Sequence, residues 1–512
     1  MLCFAVLLWS VAATAGVPAS WASQLASFRA PTERDSGAPA PRSALLQEGS
    51  PHWHAEAARW LGGALTQGTT AAREARQRLM AGAHSLLHPA PAFAASAASM
   101  RTANAAALTP QPPTAEPIKK QQTVLVLISD TGGGHRASAQ ALEAALSQLR
   151  PGKLDVRIVD IWTNYATWPH NKFVSGYAFA AKNPWVWRSM YFPSSLPPVM
   201  QFLNFHTRFT CWKGFQQCIV ENDPDLVVSM HPLCQELPLR ILNRLGGGTR
   251  SVPFATVVTD LGGAHPTWFN TGVDKCFVPS DVVREVGRKR GMREDQLIQH
   301  GLPVRPAFAK PPPPKVKLAK QLGLTSPKDC NTVLVVGGGD GVGSLEKCVE
   351  ALAGRVEKIA KPDQPLTQLV VVCGKNAELR ARLEAKEWGG KVQMQVRGFV
   401  KRMSDYMEVA DCLITKAGPG TIAEGCIRGL PTMLSSFLPG QEAGNVPFVV
   451  GGGFGAYAPQ PERIAQTVCE WLEDPELLKE MSANAKAQGQ PRAATTIAEE
   501  LCEMLPAKPK CK

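Results

Sequence analysis

From Gln122 onward the apolar residues of this chain gather into short runs, each closed by a turn and followed by a stretch of helical spacing. The run TVLVLIS at 123–129 leads through SDTGGGH into HRASAQALEAALSQL, whose small and apolar residues recur at three- and four-residue intervals. LDVRIVDIW at 154–162, DLVVSMH at 225–231, PFATVVTD at 253–260 and KCFVPS at 275–280 read as further strands, and VVREVGRKRG after the last as a helix. Short β-rich runs alternating with helices predict a parallel sheet with right-handed crossovers. Residues 162–215, rich in Trp, Tyr, Phe and Pro, break the alternation and read as irregular.

Prolines at 303–317 (PVRPAFAKPPPPKVK) interrupt the pattern and predict an interdomain linker. The alternation then restarts. It runs through NTVLVVGGG, a helix from Ser344 to about Lys361, QLVVVCGKN, a helix over 376–388, VQMQVRGF, DCLITKAG with its helix, and PTMLSS. Final helices span Pro461 to about Leu505. The expected organisation is a first Rossmann-like α/β domain at 118–304, a linker at 305–317, a second such domain at 318–485 and a C-terminal helix or tail at 486–512. Two such domains facing each other across a cleft form a GT-B-like architecture, with ligands expected at the carboxyl ends of both sheets.

Composition changes the picture in two places. Residues 1–117 open with the apolar run MLCFAVLLWSVAATAG and continue rich in Ala, Ser, Pro and Arg and poor in acids. They read as a targeting segment removed on import, either a signal followed by a transit peptide or a transit peptide alone. The helix-like stretch His54–Leu87 complicates that reading. Over the whole chain, the excess of 55 basic over 43 acidic residues suits phosphorylated substrates or an anionic lipid surface. Nucleic acid is disfavoured, because no RRM-like, zinc-finger or Lys/Arg-dense helical signature accompanies the charge. The 13 cysteines contain no CxxC pair and are expected to be mostly buried thiols.

Three glycine turns follow apolar strands: Gly132–Gly134 before His135, GGGDGVG at 337–343, and Gly418-Pro419-Gly420 before Thr421 and Ile422. None fits GxGxxG or a P-loop, yet a glycine turn at a helix N-terminus presents amides and dipole to an anion. His135 stands where the first helix begins, so the helix terminus is expected to keep its ring neutral and able to act as general base. His231 and His265 also follow strands and read as structural or acceptor-lining. Lys416, Arg305 and the turn amides are candidates to neutralise a departing diphosphate. Gln441 and Glu442, after a second Pro-Gly turn, offer an amide and a carboxylate to sugar hydroxyls. Asp223-Pro224-Asp225 has the form of a DxD metal motif but precedes a strand, away from the cleft, and reads as a turn. No cofactor or catalytic metal is expected. Trp168 and Trp268, with Phe269 and the aromatic segment, are candidates to meet lipid headgroups.

Together SDTGGGHRASAQAL, TDLGGAHPTWFN, VDKCFVPS, GLPVRPAF, VVGGGDG, VRGF, TKAGPGTIAE and LPGQEAGNVPFVV resemble the plant and algal monogalactosyldiacylglycerol synthases of glycosyltransferase family 28. The likeness covers about residues 122–475. It implies transfer of galactose from UDP-galactose to the 3-hydroxyl of diacylglycerol with inversion, at a plastid envelope membrane, with peripheral attachment. Carried across, His135 is the base and a donor contact. Arg305 contacts UDP, and Gly398 and Val400 frame the nucleobase. Gly418, Pro419, Gly420, Thr421 and Ile422 form the diphosphate turn, while Gln441, Glu442 and Asn445 hold the donor. Pro169 and Trp268 handle acceptor and anionic lipid, phosphatidylglycerol or phosphatidic acid. Leu261-Gly262-Gly263-Ala264 stands where the family carries a more polar turn, and SSFLPGQE lacks an expected acid or amide. A different UDP-sugar or lipid acceptor, a non-catalytic lipid-binding role, and monomer against homodimer stay open at this level.

Overall fold

The computed structural model describes residues 121–337, 345–359 and 366–507. Residues 1–117, read above as a targeting segment, with His54–Leu87, and Gly338–Gly343 of the second glycine turn lie outside the described residues, as do 508–512.

Twelve strands form two six-stranded sheets. The first holds β1 (Gln122–Ile128), β2 (Leu154–Asp160), β3 (Leu226–Ser229), β4 (Phe254–Val257), β5 (Lys275–Val278) and β6 (Leu297–Gln299), in the order 2-1-3-4-5-6. The second holds β7 (Cys330–Val336), β8 (Leu366–Val372), β9 (Val392–Arg397), β10 (Cys412–Lys416), β11 (Thr432–Ser436) and β12 (Gly455–Tyr457), in the order 12-11-10-7-8-9. Every paired strand runs parallel. Helices cover both faces of each sheet, which is why the central strands are continuous apolar runs rather than alternating ones. The strand order reverses between β1 and β3 in the first sheet and between β7 and β10 in the second, so each sheet opens a crevice there. His135 follows β1, and the Gly-Pro-Gly turn follows β10.

Three expectations need correction. The aromatic segment is helical: Ile161–Tyr165, Phe173–Lys182, Pro184–Ser194 and the 26-residue helix Pro197–Asn222. Prolines 184, 197 and 198 sit at the first positions of their helices, where a missing N–H costs nothing, so they start helices rather than break them. The run 154–162 ends early as a strand, because the Asp160 carboxylate accepts from Thr163 N at 3.0 Å and caps a helix there. Finally, the proline stretch is no free linker. Leu302, Val304 and Phe308 are buried in the core of the second sheet, and Lys315–Leu322 is helical.

The chain crosses between the domains twice. After the second domain's helices Pro461–Glu473 and Pro475–Gln488, the last helix, Ala493–Met504, returns to the first. Its Ala494, Ile497, Ala498 and Leu501 pack with Leu142 and Leu146 of the helix Gly134–Leu149. Lys275 and His300 both bind Glu500 at its outer edge. The two crossings touch: at Gly301 (φ +94°) a Cβ would lie 2.6 Å from Gln490. Leu261 of the first domain joins Ala417, Ile422, Cys426, Leu434, Val449, Phe454 and Ala485 in an apolar cluster that seals the floor between the sheets. All eleven cysteines among the described residues are buried, and none is in a disulfide.

Candidate active site

On the first wall, Gly132 (φ +81°) and Gly133 (φ +69°) take a left-handed turn that side chains resist, and the helix begins one residue later. This delivers His135 into a buried position with Nδ1 2.7 Å from Thr259 Oγ1. His231 lies edge-on, ring centroids 4.8 Å apart. Leu233 N donates to His231 Nδ1, so the proton of that neutral ring is on Nε2, facing Thr131 Oγ1 at 3.1 Å. His135 is held neutral, its pKa lowered to about 4. The main cause is burial, which outweighs a hydrogen bond to the Met230 carbonyl and the charge of Asp130. Desolvation, rather than the helix terminus, is the dominant cause. His265 is likewise lowered to about 4 by burial; Thr267 N donates to its Nδ1, and Nε2 faces the hydroxyls of Ser194 and Ser195.

Trp268 does not face lipid. It is fully buried, and its Nε1–H donates to Asp260 Oδ2 at 2.6 Å. Phe269 is buried as well. The short turn Pro266–Trp268, capped by His265, swings the indole under the strand ends, where it lies 6.0 Å from the His135 ring. Asp260 has its pKa raised to about 7, first by burial and further by the nearby Glu442 charge, against the Trp268 and His265 hydrogen bonds. By contrast, Trp168 is 67% exposed beside half-buried Pro169. Asp225 of the DxD-like turn accepts from Thr123 N at 2.9 Å and ties β3 to β1.

The second wall is built from backbone and charge. The helix Pro419–Arg428 is capped by Gly418. Of its first amides, Gly418 N is bonded to Lys416 O, Pro419 has none, and Ile422 N already bonds Gly418 O. Among the described residues this leaves the amides of Gly420 and Thr421, at the positive end of the helix, to receive an anion. The Ile422 side chain belongs to the apolar floor, so it packs rather than binds. Arg305 forms a two-pronged pair with buried Glu424 (2.7 Å each), and Lys416 pairs with Glu442. Gly398 and Val400 lie half-buried at the end of β9, with exposed Phe399 between them.

Glu442 and Asn445 are reassigned. Glu442 is buried, with one oxygen on Lys416 and the other accepting from Leu438 N at 2.9 Å, so it anchors its own turn. Asn445 is buried too. Its Oδ1 accepts from Gly262 N at 2.7 Å, and its Nδ2 donates to Ala417 O at 2.8 Å. It therefore stitches the loop after β4 to the residue before the Gly418-Pro419-Gly420 turn. Gly262 and Gly444 approach so closely there that a Cβ on Gly262 would lie 2.0 Å from Gly444 O. The polar turn missing at 261–264 is thus replaced by a glycine contact between the walls.

Sequence reasoning missed Thr259, Asp260 and Glu424 as neighbours of the site, and missed the three aromatics Tyr177, Trp187 and Tyr191 that reach across the cleft. Tyr177 packs over Gly132 and donates to Gln441 Oε1 at 3.1 Å, and Trp187 Nε1 donates to Pro439 O at 2.6 Å. The only available signal was the composition of 161–220, which is aromatic and carries no Asp or Glu.

The family model for monogalactosyldiacylglycerol (MGDG) synthase matches residues 135–304, and that for the glycosyltransferase family 28 C-terminal domain matches 332–497. The probable monogalactosyldiacylglycerol synthase, chloroplastic, of Nicotiana tabacum is 41% identical over 392 residues, covering 76% of this chain and 71% of that protein. Monogalactosyldiacylglycerol synthase 1, chloroplastic, of Arabidopsis thaliana is 39% identical over 388 residues, covering 75% and 72%. Among solved structures, MurG of Acinetobacter baumannii aligns with a TM-score of 0.47 at 14% identity, over 75% of this chain and 99% of that one. With two parallel sheets opening toward one cleft, the protein is an enzyme of the GT-B glycosyltransferase class. The chain belongs to the monogalactosyldiacylglycerol synthase family.

Proposed function

We propose that this enzyme transfers galactose from UDP-galactose to the 3-hydroxyl of diacylglycerol in one inverting displacement, at the surface of a plastid envelope membrane. The observation that carries the reading is a histidine held neutral by burial on one wall, opposite two unoccupied helix-terminal amides on the other. Neutral His135 takes the acceptor proton as that oxygen attacks the anomeric carbon and the bond to UDP breaks. The amides of Gly420 and Thr421, with Lys416 and Arg305 held in place by their carboxylates, take up the diphosphate charge. That charge is met by protein groups, so we propose that no metal takes part. Gly398 and Val400 flank the nucleobase, and the Gln441 amide meets the sugar.

Membrane attachment rests on the helical aromatic segment. Trp168, Phe179, Trp185, Phe192, Phe205 and Phe209 are exposed on it, and Lys172, Lys182, Arg188, Arg208 and Lys213 stand unopposed by any acid within 161–220. Exposed aromatics with basic neighbours suit an interface bearing anionic headgroups such as phosphatidylglycerol or phosphatidic acid. No helix among the described residues is long and apolar enough to cross a membrane, which accords with a peripheral mode.

The test is incubation of the purified chain with UDP-galactose or UDP-glucose and diacylglycerol vesicles, with and without chelator and anionic lipid. Galactolipid formed equally well with chelator supports the reading. Glucolipid as the main product, or loss of turnover with chelator, overturns the donor or the metal-free part respectively.

A further inference from the structure

Gln441 has two chemically different ends, and the cleft decides which one a donor sugar meets. Its Oε1 is taken by the Tyr177 hydroxyl at 3.1 Å. Among the described residues no protein group accepts from its Nε2, so two N–H donors remain for a ligand. Tyr177 is itself fixed from both sides. Its ring and hydroxyl rest 3.6 Å from where a Cβ of Gly132 would be, on the turn that precedes His135, and its ring meets Trp187 edge-on at 5.2 Å. Trp187 in turn holds the Pro439 carbonyl at 2.6 Å. Gly440 (φ +83°) lies so tight against Tyr191 that a Cβ there would come within 2.4 Å of the ring. The turn carrying Gln441 is therefore clamped at three successive residues by aromatics of the first domain.

We infer that Tyr177 is a positioning residue for donor recognition: by occupying Gln441 Oε1 it turns the amide so that only N–H donors face the sugar. A donor amide held in one orientation demands an acceptor lone pair at one point. Hexoses that differ in the direction of a single hydroxyl are separated by such a demand, because the wrong epimer leaves the amide unpaired. Tyr177 reaches the sugar only through Gln441 in this account. The same helix carries exposed Phe179, so the residue that orients the sugar grip stands on the segment assigned to the lipid surface. The inference rests on the proposed reading of Gln441 as a sugar contact.

The test uses the full chain with diacylglycerol vesicles and compares Tyr177→Phe, Gln441→Leu and the double variant. Tyr177→Phe is expected to lower kcat/KM for UDP-galactose by about tenfold and to narrow the preference between UDP-galactose and UDP-glucose, with UDP affinity unchanged within about twofold. In the Gln441→Leu background the Tyr177 substitution should have no further effect. A parallel fall in UDP affinity would show that Tyr177 merely shapes the cleft, and additive effects of the two substitutions would show that it does not act through Gln441. Either result overturns the inference while leaving the proposed reaction intact. If the unmodified enzyme uses neither sugar nucleotide, the proposed function falls and the inference with it.

Discussion

The two walls of the cleft solve opposite problems with opposite materials. The first is lined by large buried side chains: His135, His231, Trp268 and Asp260 pack with little water, and each titratable member among them shifts toward its neutral form. The second is lined by glycine, amide and paired charge: Gly418–Thr421, Lys416 with Glu442, and Arg305 with Glu424. A low-dielectric wall keeps its titratable groups uncharged, so the histidine rests with its lone pair free, and a wall of oriented dipoles suits a leaving group that departs charged. Dryness and polarity, which one surface could not supply together, are divided between two sheets and brought together by their shared cleft.

The largest break in this comparison is removal of the proposed base. His135→Ala should lower kcat by about 10²–10⁴-fold, with UDP affinity measured by calorimetry unchanged. His135→Gln, closer in volume, separates lost chemistry from lost packing. Next, Trp268→Ala should cost about 3–5 kcal/mol in chemical denaturation, because it empties a fully buried site and strips Asp260 of its donor. Gly262→Ala should follow. Its methyl would meet the Gly444 carbonyl and force the walls apart at about 1–3 kcal/mol, with a rise in KM for the sugar nucleotide.

A pH series sharpens the picture. His135, His170 and His265 are held near 4 by burial, so the unfolded chain binds more protons than the folded one between about 4 and the ordinary histidine value of 6.5. Stability should therefore fall as pH drops through that window. Asp260, raised to about 7, binds its proton on folding and opposes this trend, so Asp260→Asn should steepen the loss. Denaturation midpoints at pH 5 and 6.5 measure both. The smallest effect belongs to the other tryptophan: Trp168→Ala should change stability by less than about 0.5 kcal/mol yet weaken binding to anionic vesicles in a flotation assay.

The two tryptophans also mark how far the sequence can be read. Strands and glycine turns are legible because they are local: β1 and β10 are apolar runs flanked by residues that suit only a turn. The position of His135 at the helix start is legible for the same reason, lying one step beyond Gly132–Gly134. Trp268 and Trp168 look alike in sequence, each following a threonine with a proline within two positions, and only the folding of Pro266–Trp268 under the strands of the first sheet buries one of them. Glu442 reads as a ligand group because its polar end is visible, and Asn445 through the family resemblance, while Gly262, 183 positions away from Asn445, is visible to neither. Tyr177, Trp187 and Tyr191 were hidden because their stretch reads as irregular, although Pro184 starts the helix that carries the last two.

The return of the final helix to the first domain makes order along the chain differ from order in space. A cut at the proline stretch would leave the helix Gly134–Leu149, which carries His135, without the apolar partner that Ile497 and Leu501 provide. The two halves therefore cannot be separated by one break: a fragment ending near residue 304 carries the whole first wall in sequence but lacks part of its scaffold. Whatever is joined to the far end of the polypeptide pulls first on the domain encoded at its beginning.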